Sequence, residues 1–557
     1  MMDLLKGNKE IRVRDCAVWL WNASRGFRLP VVFIALIGMG QVAASLFFVW
    51  VCKHLIDIAT HHSDDRLQWF IAALIGCLLL QLVFSVTNMR LGTKVEIAFR
   101  NNLRHRLFNH VMESRWMGKE VLHTGDMLNR LVEDVPTITT AICRNIPSAL
   151  ATVVQLLGAL VFLSRLDMRL AGIVLLIMPV ALLLSRRYVR KMRKLSREIR
   201  DTDSRVQSHL QEHLQHRNLI RAMEYTAYSN NALASLQSDL QTKVMRRTDF
   251  SVFSRSVIQL GFSAGYVAAF LWGVFGIYYG TVTFGMMTAF LQLVAQVQRP
   301  IVDLGRQIPA FIQVFTSTER LSELSSLDLE QKGEAIMLES PVGVRLEEVS
   351  FAYPEGKRSI LQHFSHDFLP GSLTAVVGET GVGKSTLIRL ILALLSPVEG
   401  KVVFYNGNRT VEASSRTRCN ISYVPQGNTL ISGTIRDNLL LGNPDAGEEE
   451  LKAALHTAAA DFVWELPEGL NTLCGEQGAG LSEGQAQRIA IARGLLRPGN
   501  VLLLDEPSSS LDEDTERKLL ERLSKQMQGK TLIMITHRET IAQLCSSVVR
   551  LKKEECE

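Results

Sequence analysis

Six stretches of this chain contain no Asp, Glu, Lys or Arg and are almost wholly apolar: Val31–Val51, Trp69–Val86, Pro147–Leu163, Leu170–Ser185, Ser256–Gly280 and Val282–Gln298. Most approach the ~20 residues a helix needs to cross the hydrocarbon core of a bilayer. One such run could be a buried core helix in water. Six in succession point to a membrane domain. The chain cannot lie wholly in lipid, because 21% of its 557 residues are charged, close to a soluble average. The first half therefore belongs in a membrane and the remainder in water.

Charge divides along the same line. The formal charge is +6; residues 341–557 hold 23 basic and 28 acidic side chains, net −5, which leaves +11 for residues 1–340. The basic excess flanks apolar runs and is not interleaved with aromatics, so it argues for a membrane partner and against nucleic acid. Thirty Lys and Arg precede the first run or lie in the second-to-third and fourth-to-fifth connections, against only Lys53, Arg66, Arg165 and Arg169 on the other side. The positive-inside rule then puts the N-terminus and both long connections in the cytoplasm. The eight cysteines are scattered with no C-x-x-C pair, which disfavours a metal or disulfide framework.

The long connections, Arg90–Asn145 and Arg186–Arg255, are polar and rich in helix formers, so they read as stalks continuing the spans. A non-periodic patch interrupts each, at Trp116–Gly125 and around His216–Asn218. Ile11–Trp21 reads either as an interfacial helix with Trp at headgroup level or as an ordinary amphipathic one. The runs carry amides: Gln41, Gln81, Gln155, Gln259, Gln292 and Gln296. These fit a cavity of neutral hydrogen-bonding groups or, the favoured reading for most, glue between helices.

The second half carries a phosphate cradle. The apolar strand Leu373–Val377 runs into Gly378-Glu-Thr-Gly-Val-Gly-Lys-Ser-Thr386 and then an apolar helix, Leu387–Leu395. This is the P-loop pattern in its strand–loop–helix context. Gly378, Gly381 and Gly383 let the backbone curl so that N–H groups, those of Lys384, Ser385 and Thr386 included, face phosphate oxygens. Lys384 supplies positive charge to the outer phosphates and Ser385 a hydroxyl for Mg²⁺. A second apolar strand, Val501–Leu504, ends in Asp505-Glu506. That spacing offers Asp505 to Mg²⁺ and Glu506 to an attacking water.

Between these motifs lies Leu481-Ser-Glu-Gly-Gln485, followed by Arg488. It resembles the signature of ATP-binding cassette (ABC) proteins. Other landmarks follow the family's order: Tyr353 for the adenine-stacking aromatic, Gln426 in Tyr423-Val-Pro-Gln for the Q-loop, Ser510-Leu-Asp512 for the D-loop, and His537 for the switch histidine. With six spans ahead of the cassette, nearly the whole chain looks like an exporter-type half-transporter. Thr124–Leu131 with Asp134-Val135 resembles the first coupling helix, and Gln211–Glu224 stands in the place of the second.

The resemblance implies an all-α six-helix transmembrane domain over 1–320, a linker over 321–342 and an α/β P-loop nucleotide-binding domain over 343–557. It implies ATP and Mg²⁺ as cofactors, with Ser385, Gln426 and Asp505 on the metal and Glu506, His537 and Gln426 in catalysis. Tyr353, the P-loop residues, Ser482, Gly484, Gln485 and Asp512 would bind nucleotide. Because ATP in this family lies between two cassettes, a second half-transporter is expected. A homodimer is the simplest assembly and a heterodimer the rival. The location would be a bacterial inner membrane with the cassette in the cytoplasm. The function would be ATP-driven export or flipping of an amphiphile (lipid, drug or peptide). The alternatives are an importer built on the exporter fold and a soluble cassette ATPase, which the six spans disfavour. Two positions depart from the family: Glu483 stands where Gly is usual and is expected to point outward, and Ser510 stands where Ala is commoner.

Overall fold

The structure is a computed structural model. It describes residues 13–60, 62, 66–115, 124–166, 168–330, 333–353, 359–379, 381–407, 409–475, 480–526, 529–538, 542 and 545–551, with backbone only at 169–190, 193, 258, 299, 301–302, 305–306 and 308. By its contacts the chain forms two compact units, one of residues 1–109 and 128–326, the other of residues 110–127 and 327–557.

The first unit is helical. Its helices are α1 Val13–Ala23, α2 Arg28–Ala59, α3 Leu67–Met112, α4 Thr124–Asn129, α5 Val135–Thr140, α6 Ile146–Leu166, α7 Met168–Gln215, α8 Arg217–Ala222, α9 Thr226–Tyr278 and α10 Phe284–Ser325. All six apolar runs lie on helices, namely α2, α3, α6, α7, α9 and α10. Among the described residues four helical stretches are long and apolar enough to cross a membrane: Arg28–Ala59, Leu67–Met112, Gly125–Leu166 and Thr226–Tyr278. The stalks appear as expected, since α3, α7 and α9 run 46, 48 and 53 residues. His216 breaks the second connection between α7 and α8, whereas most of the first interruption, residues 116–123, lies outside the described residues. Residues 11 and 12 of the amphipathic N-terminal stretch also lie outside them, and the rest forms α1.

The stretch likened to a first coupling helix is continuous with the span that follows it. From Thr124 the chain runs through α4, a π-helical turn Arg130–Asp134, α5 and a second π turn Ala141–Asn145 into α6. It is the opening of the helix that carries the third apolar run. The two prolines explain the π turns. Pro136 and Pro147 lack an N–H and crowd the carbonyl four residues back. Those carbonyls belong to Val132 and Cys143, each inside a π turn, where the widened ladder relieves the crowding. The first π turn is also anchored. Arg130, 5% exposed, donates to the Arg320 carbonyl at 2.5 Å and to Glu323 at 2.8 Å, while Asp134 pairs with Arg320 at 3.2 Å and accepts from Ser317 at 2.7 Å.

Helix α10 packs on α2, α6 and α9 around Val49, Leu156, Leu163, Ala269, Phe290 and Leu293. Two of the amides bond across helices: Gln81 donates to the Ala44 carbonyl and Gln296 to the Ser45 hydroxyl, each at 3.3 Å. These bonds are the interhelical glue expected of intramembrane amides.

The second unit is α/β. In order, β1 Gly343–Ala352, β2 Ser359–Phe368, β3 Leu373–Val377, α11 Lys384–Ile391, β4 Glu399–Tyr405, β5 Thr410–Glu412, β6 Ile421–Val424, β7 Gly433–Thr434, α12 Ile435–Leu440, α13 Glu448–Thr457, β8 Leu473–Cys474, α14 Glu483–Leu496, β9 Val501–Asp505, α15 Glu513–Gln526, β10 Thr531–Ile535 and β11 Ser547–Arg550 are its described strands and α-helices, with short 3-10 turns between some of them. An antiparallel sheet runs β2-β1-β4-β5, a parallel one β11-β3-β10-β9-β6, and β7 pairs with β8. Parallel strands buried on both faces need unbroken apolar runs. Leu373-Thr-Ala-Val-Val377, Val501-Leu-Leu-Leu504 and Thr531-Leu-Ile-Met-Ile535 supply them, and Leu503, Leu504 and Met534 are fully buried.

Candidate nucleotide-binding site

The parallel register builds the site. Strand β10 lies between β3 and β9, with Ile535 opposite both Val376 and Asp505. Both motif strands therefore end on the same edge, beside His537 after β10. Strand β6 flanks β9 with Val424 opposite Leu504, which brings Gln426 to that edge as well.

The loop after β3 turns through positive φ at Gly381 (84°) and Gly383 (109°), conformations that favour glycine. Gly383 then caps α11, so the first N–H groups of that helix face the loop's hollow. Lys384 is 7% exposed, and its ammonium donates to the Gly378 and Glu379 carbonyls at 2.7 and 2.9 Å. Burial lowers its pKa, opposed by Glu506 and Asp505. Ser385 is exposed on the first turn of α11 and Thr386 is buried. Tyr353 shares a 3.2 Å hydrogen bond with Thr386 and accepts one of 3.2 Å from Arg389, which sets its ring beside the cradle.

Asp505 is nine-tenths buried, and burial together with neighbouring Glu506 pushes its carboxyl up to about 6 against the partial relief of Lys384 and Arg389. Glu506 is held from every side. Its backbone is left-handed (φ 48°), its N–H donates to the Ile535 carbonyl at 3.0 Å, and its own carbonyl accepts from Gln487 at 2.7 Å. Its carboxylate accepts from Gln426 Nε2 at 2.6 Å on one oxygen and meets His537 Nε2 at 2.8 Å on the other. The three residues assigned to catalysis from the sequence thus form one cluster. Gln487 was not among the sequence candidates. It is 1% exposed on α14, and in the sequence its only sign was an amide two residues past the signature.

The signature forms the start of α14. Ser482 caps the helix by accepting from Gln485 N at 3.2 Å, and Gln485 Oε1 accepts from Ser482 N at 2.9 Å. This reciprocal capping box fixes the hydroxyl at the helix N-terminus. Gly484 is required by close approach, since a Cβ there would lie 2.6 Å from the Ser510 carbonyl oxygen. Ser510 therefore meets the signature through its backbone. Glu483 is exposed in the first turn, as expected, where the helix dipole favours an acid. Asp512 caps α15 through a 3.0 Å bond from Thr515 N, which holds its carboxyl below the usual range.

Ser385, Asp505 and Gln426 offer a hydroxyl, a carboxylate and an amide, an all-oxygen set that suits a hard cation such as Mg²⁺. Such an ion would also relieve the burial penalty on Asp505.

Comparison with known proteins agrees with this geometry. The family model for the ABC transporter transmembrane region matches residues 31–301, and a second model, for the ABC transporter, matches 361–509, together three quarters of the chain. An ATP-dependent lipid A-core flippase of Desulfotalea psychrophila is 29% identical over 98% of this chain and 95% of its own. The uncharacterized ABC transporter ATP-binding protein YfiB of Bacillus subtilis is 28% identical over 94% and 91%. A bacterial Atm1-family ABC exporter with ATP bound superposes with a TM-score of 0.78 at 22% identity, covering 95% of this chain and 94% of that one. The chain belongs to the ABC transporters: it is an integral membrane protein that hydrolyses ATP to drive transport, with the exporter fold of a half-transporter that works as a dimer.

Proposed function

We propose that this chain is one protomer of a homodimeric exporter or flippase that moves an amphiphile across a bacterial inner membrane, with its cassette in the cytoplasm. Residues 1–320 would be the membrane part, 343–557 the cassette and 321–342 the join. The observation that carries the catalytic side is the Glu506 carboxylate held between Gln426 and His537. Near-complete motifs in one chain favour two equal sites over the division of labour of a heterodimer. Thirty basic residues on one side of the apolar runs favour the cytoplasmic placement. The flippase and exporter relatives favour export over import. The neutral amides of the spans suit an amphiphilic cargo.

The residues then divide the work. Backbone N–H groups of the loop and of the first turn of α11 would grip the phosphates, and Lys384 would exchange its two carbonyl partners for phosphate oxygens. Tyr353 would swing onto the adenine ring. Ser385, Asp505 and Gln426 would hold Mg²⁺, which supplies charge neutralisation between the outer phosphates. Glu506 would take the proton from the attacking water. His537 would hold the γ-phosphate and the water in line. Ser482, Gly484 and Gln485 of one protomer would close over nucleotide bound by its partner, with Asp512 beside that junction. The decisive experiment is ATP hydrolysis by the purified protein in liposomes, screened against lipids, drugs and peptides. Stimulation by one class names the cargo, and absence of hydrolysis under every condition rejects the reading.

A further inference from the structure

Facing stripes of α7 and α9 flank an open cavity of about 360 Å³ that the transport cycle described above does not use. Its walls are Met192 and Ser196 from α7, and Arg247, Thr248, Ser251, Val252 and Arg255 from α9. The spacing i, i+1, i+4, i+5, i+8 on α9 is one face of a helix, so Arg247 and Arg255 stand on a single wall. Arg255 immediately precedes the charge-free run Ser256–Gly280, which places it at the level where hydrocarbon gives way to headgroups. Arg247 is eight residues further out, about 12 Å along the axis, within reach of that layer by a long, snorkelling side chain.

The chemistry of the walls selects the ligand. Guanidinium forks match phosphate oxygens two at a time. Ser196 and Ser251 add hydroxyls, whereas the Thr248 hydroxyl already donates to the Val244 carbonyl at 2.9 Å. Met192 and Val252 offer apolar surface between the two arginines. No carboxylate lines the cavity; Glu198 and Asp249 are near in sequence but are not part of its wall. The sequence adds an independent sign. Residues 186–197, directly after the apolar run on α7, hold seven Lys and Arg and no acid. Basic clusters directly beside a span attract anionic lipid headgroups. One of them, Lys191, lies over the Phe250 ring at 4.5 Å, which ties the α7 cluster to α9 next to the cavity.

We propose that this cavity binds the phosphate of an anionic phospholipid from the leaflet on the basic side of the membrane. The site is independent of the cargo, since it lies on the stalk ends of α7 and α9.

The test uses the full-length protein in detergent, titrated with dioleoyl-phosphatidylglycerol and read by native mass spectrometry. Phosphatidylcholine and inorganic phosphate serve as parallel probes. The wild type is expected to bind phosphatidylglycerol in preference to phosphatidylcholine. Replacing both arginines, Arg247→Gln with Arg255→Gln, should weaken phosphatidylglycerol binding about thirtyfold, from about fivefold per basic residue. The lysine pair, Arg247→Lys with Arg255→Lys, should retain most of the affinity, and it carries the comparison if the glutamine pair does not fold. Equal phosphatidylglycerol affinity in wild type and glutamine variant overturns the proposal. So does displacement of the lipid by millimolar inorganic phosphate, which would mark a site for a soluble anion. ATP hydrolysis in the same samples keeps the two readings apart, because loss of lipid binding with hydrolysis intact removes only this site.

Discussion

Leucine plays opposite parts in the two units. On β9, Leu502, Leu503 and Leu504 are at most 2% exposed, sealed between helices in water. On α3, Leu78, Leu79, Leu80 and Leu82 are 45–60% exposed, and only 6% of that helix's apolar stretch is buried inside the protein. One residue type is turned inward by water and left outward for lipid. The lesson is that hydropathy locates apolar material, but the pattern around it names the solvent. Short apolar strands bounded by motif loops belong to a core. Charge-free helical runs with basic flanks belong to a bilayer.

The comparison can be broken in order of effect. The largest is chemical and confined to the cassette. Glu506→Gln should lower ATP hydrolysis by about 10²–10⁴-fold while nucleotide still binds. Phosphate release and nucleotide binding measured on the same preparation check it, and turnover at the wild-type rate would remove Glu506 from the mechanism. Next is the leucine contrast itself. Leu503→Ala leaves a cavity in the sheet's core and should destabilise the cassette by about 2–5 kcal/mol. Leu79→Ala on the lipid-facing side should change stability by no more than about 0.5 kcal/mol. Thermal midpoints of the detergent-solubilised variants decide, and equal losses would refute the assignment of solvents.

A smaller effect separates function from stability within the site. The Asp505 carboxyl is raised to about 6, so the folded protein holds a proton that the unfolded chain releases near 4. Stability from this group is therefore present below about pH 4 and is lost as pH rises through about 6. Asp505→Asn should raise the thermal midpoint at pH 7.5 without Mg²⁺ or nucleotide, by roughly 1–3 kcal/mol, and the gain should vanish toward pH 4. It should abolish hydrolysis as well. A midpoint lowered at pH 7.5 would show that the burial penalty is compensated elsewhere. The smallest is Ser482→Ala, which removes the cap of α14 and should cost about 1 kcal/mol. An unchanged midpoint would mean that water replaces the cap.

Much of this was legible because the sequence patterns are local. A charge-free run, a strand entering a glycine loop and a strand ending in Asp-Glu each declare themselves within some ten to twenty residues. The order of the motifs then placed Gln426, Glu506 and His537 in one site before any geometry was known. What stayed hidden was long-range or required counting carbonyls. Nothing local says that Arg130 will pair with Glu323, or that Gln487 will hold the Glu506 carbonyl. The stretch beginning at Thr124 resembles a coupling helix by its motif, and that it opens the helix of the third apolar run shows only in the backbone. Nor does the sequence announce the π turns that carry the helix past Pro136 and Pro147.

The second unit is discontinuous in sequence, and that has a consequence for how the protein is made. Residues 110–115 belong with the chain beyond 327: Arg115 N–H donates to the Asp328 carbonyl at 2.7 Å, Glu330 N–H to the Glu113 carbonyl at 3.0 Å, and His110 meets the Leu327 carbonyl at 3.0 Å. During translation the earlier piece emerges more than two hundred residues before its partner. At ordinary ribosomal speed that is roughly 10–40 s. For that interval the Glu113 carbonyl and the Arg115 N–H must be served by water or a chaperone. A cassette expressed from residue 327 onward would lack those partners permanently.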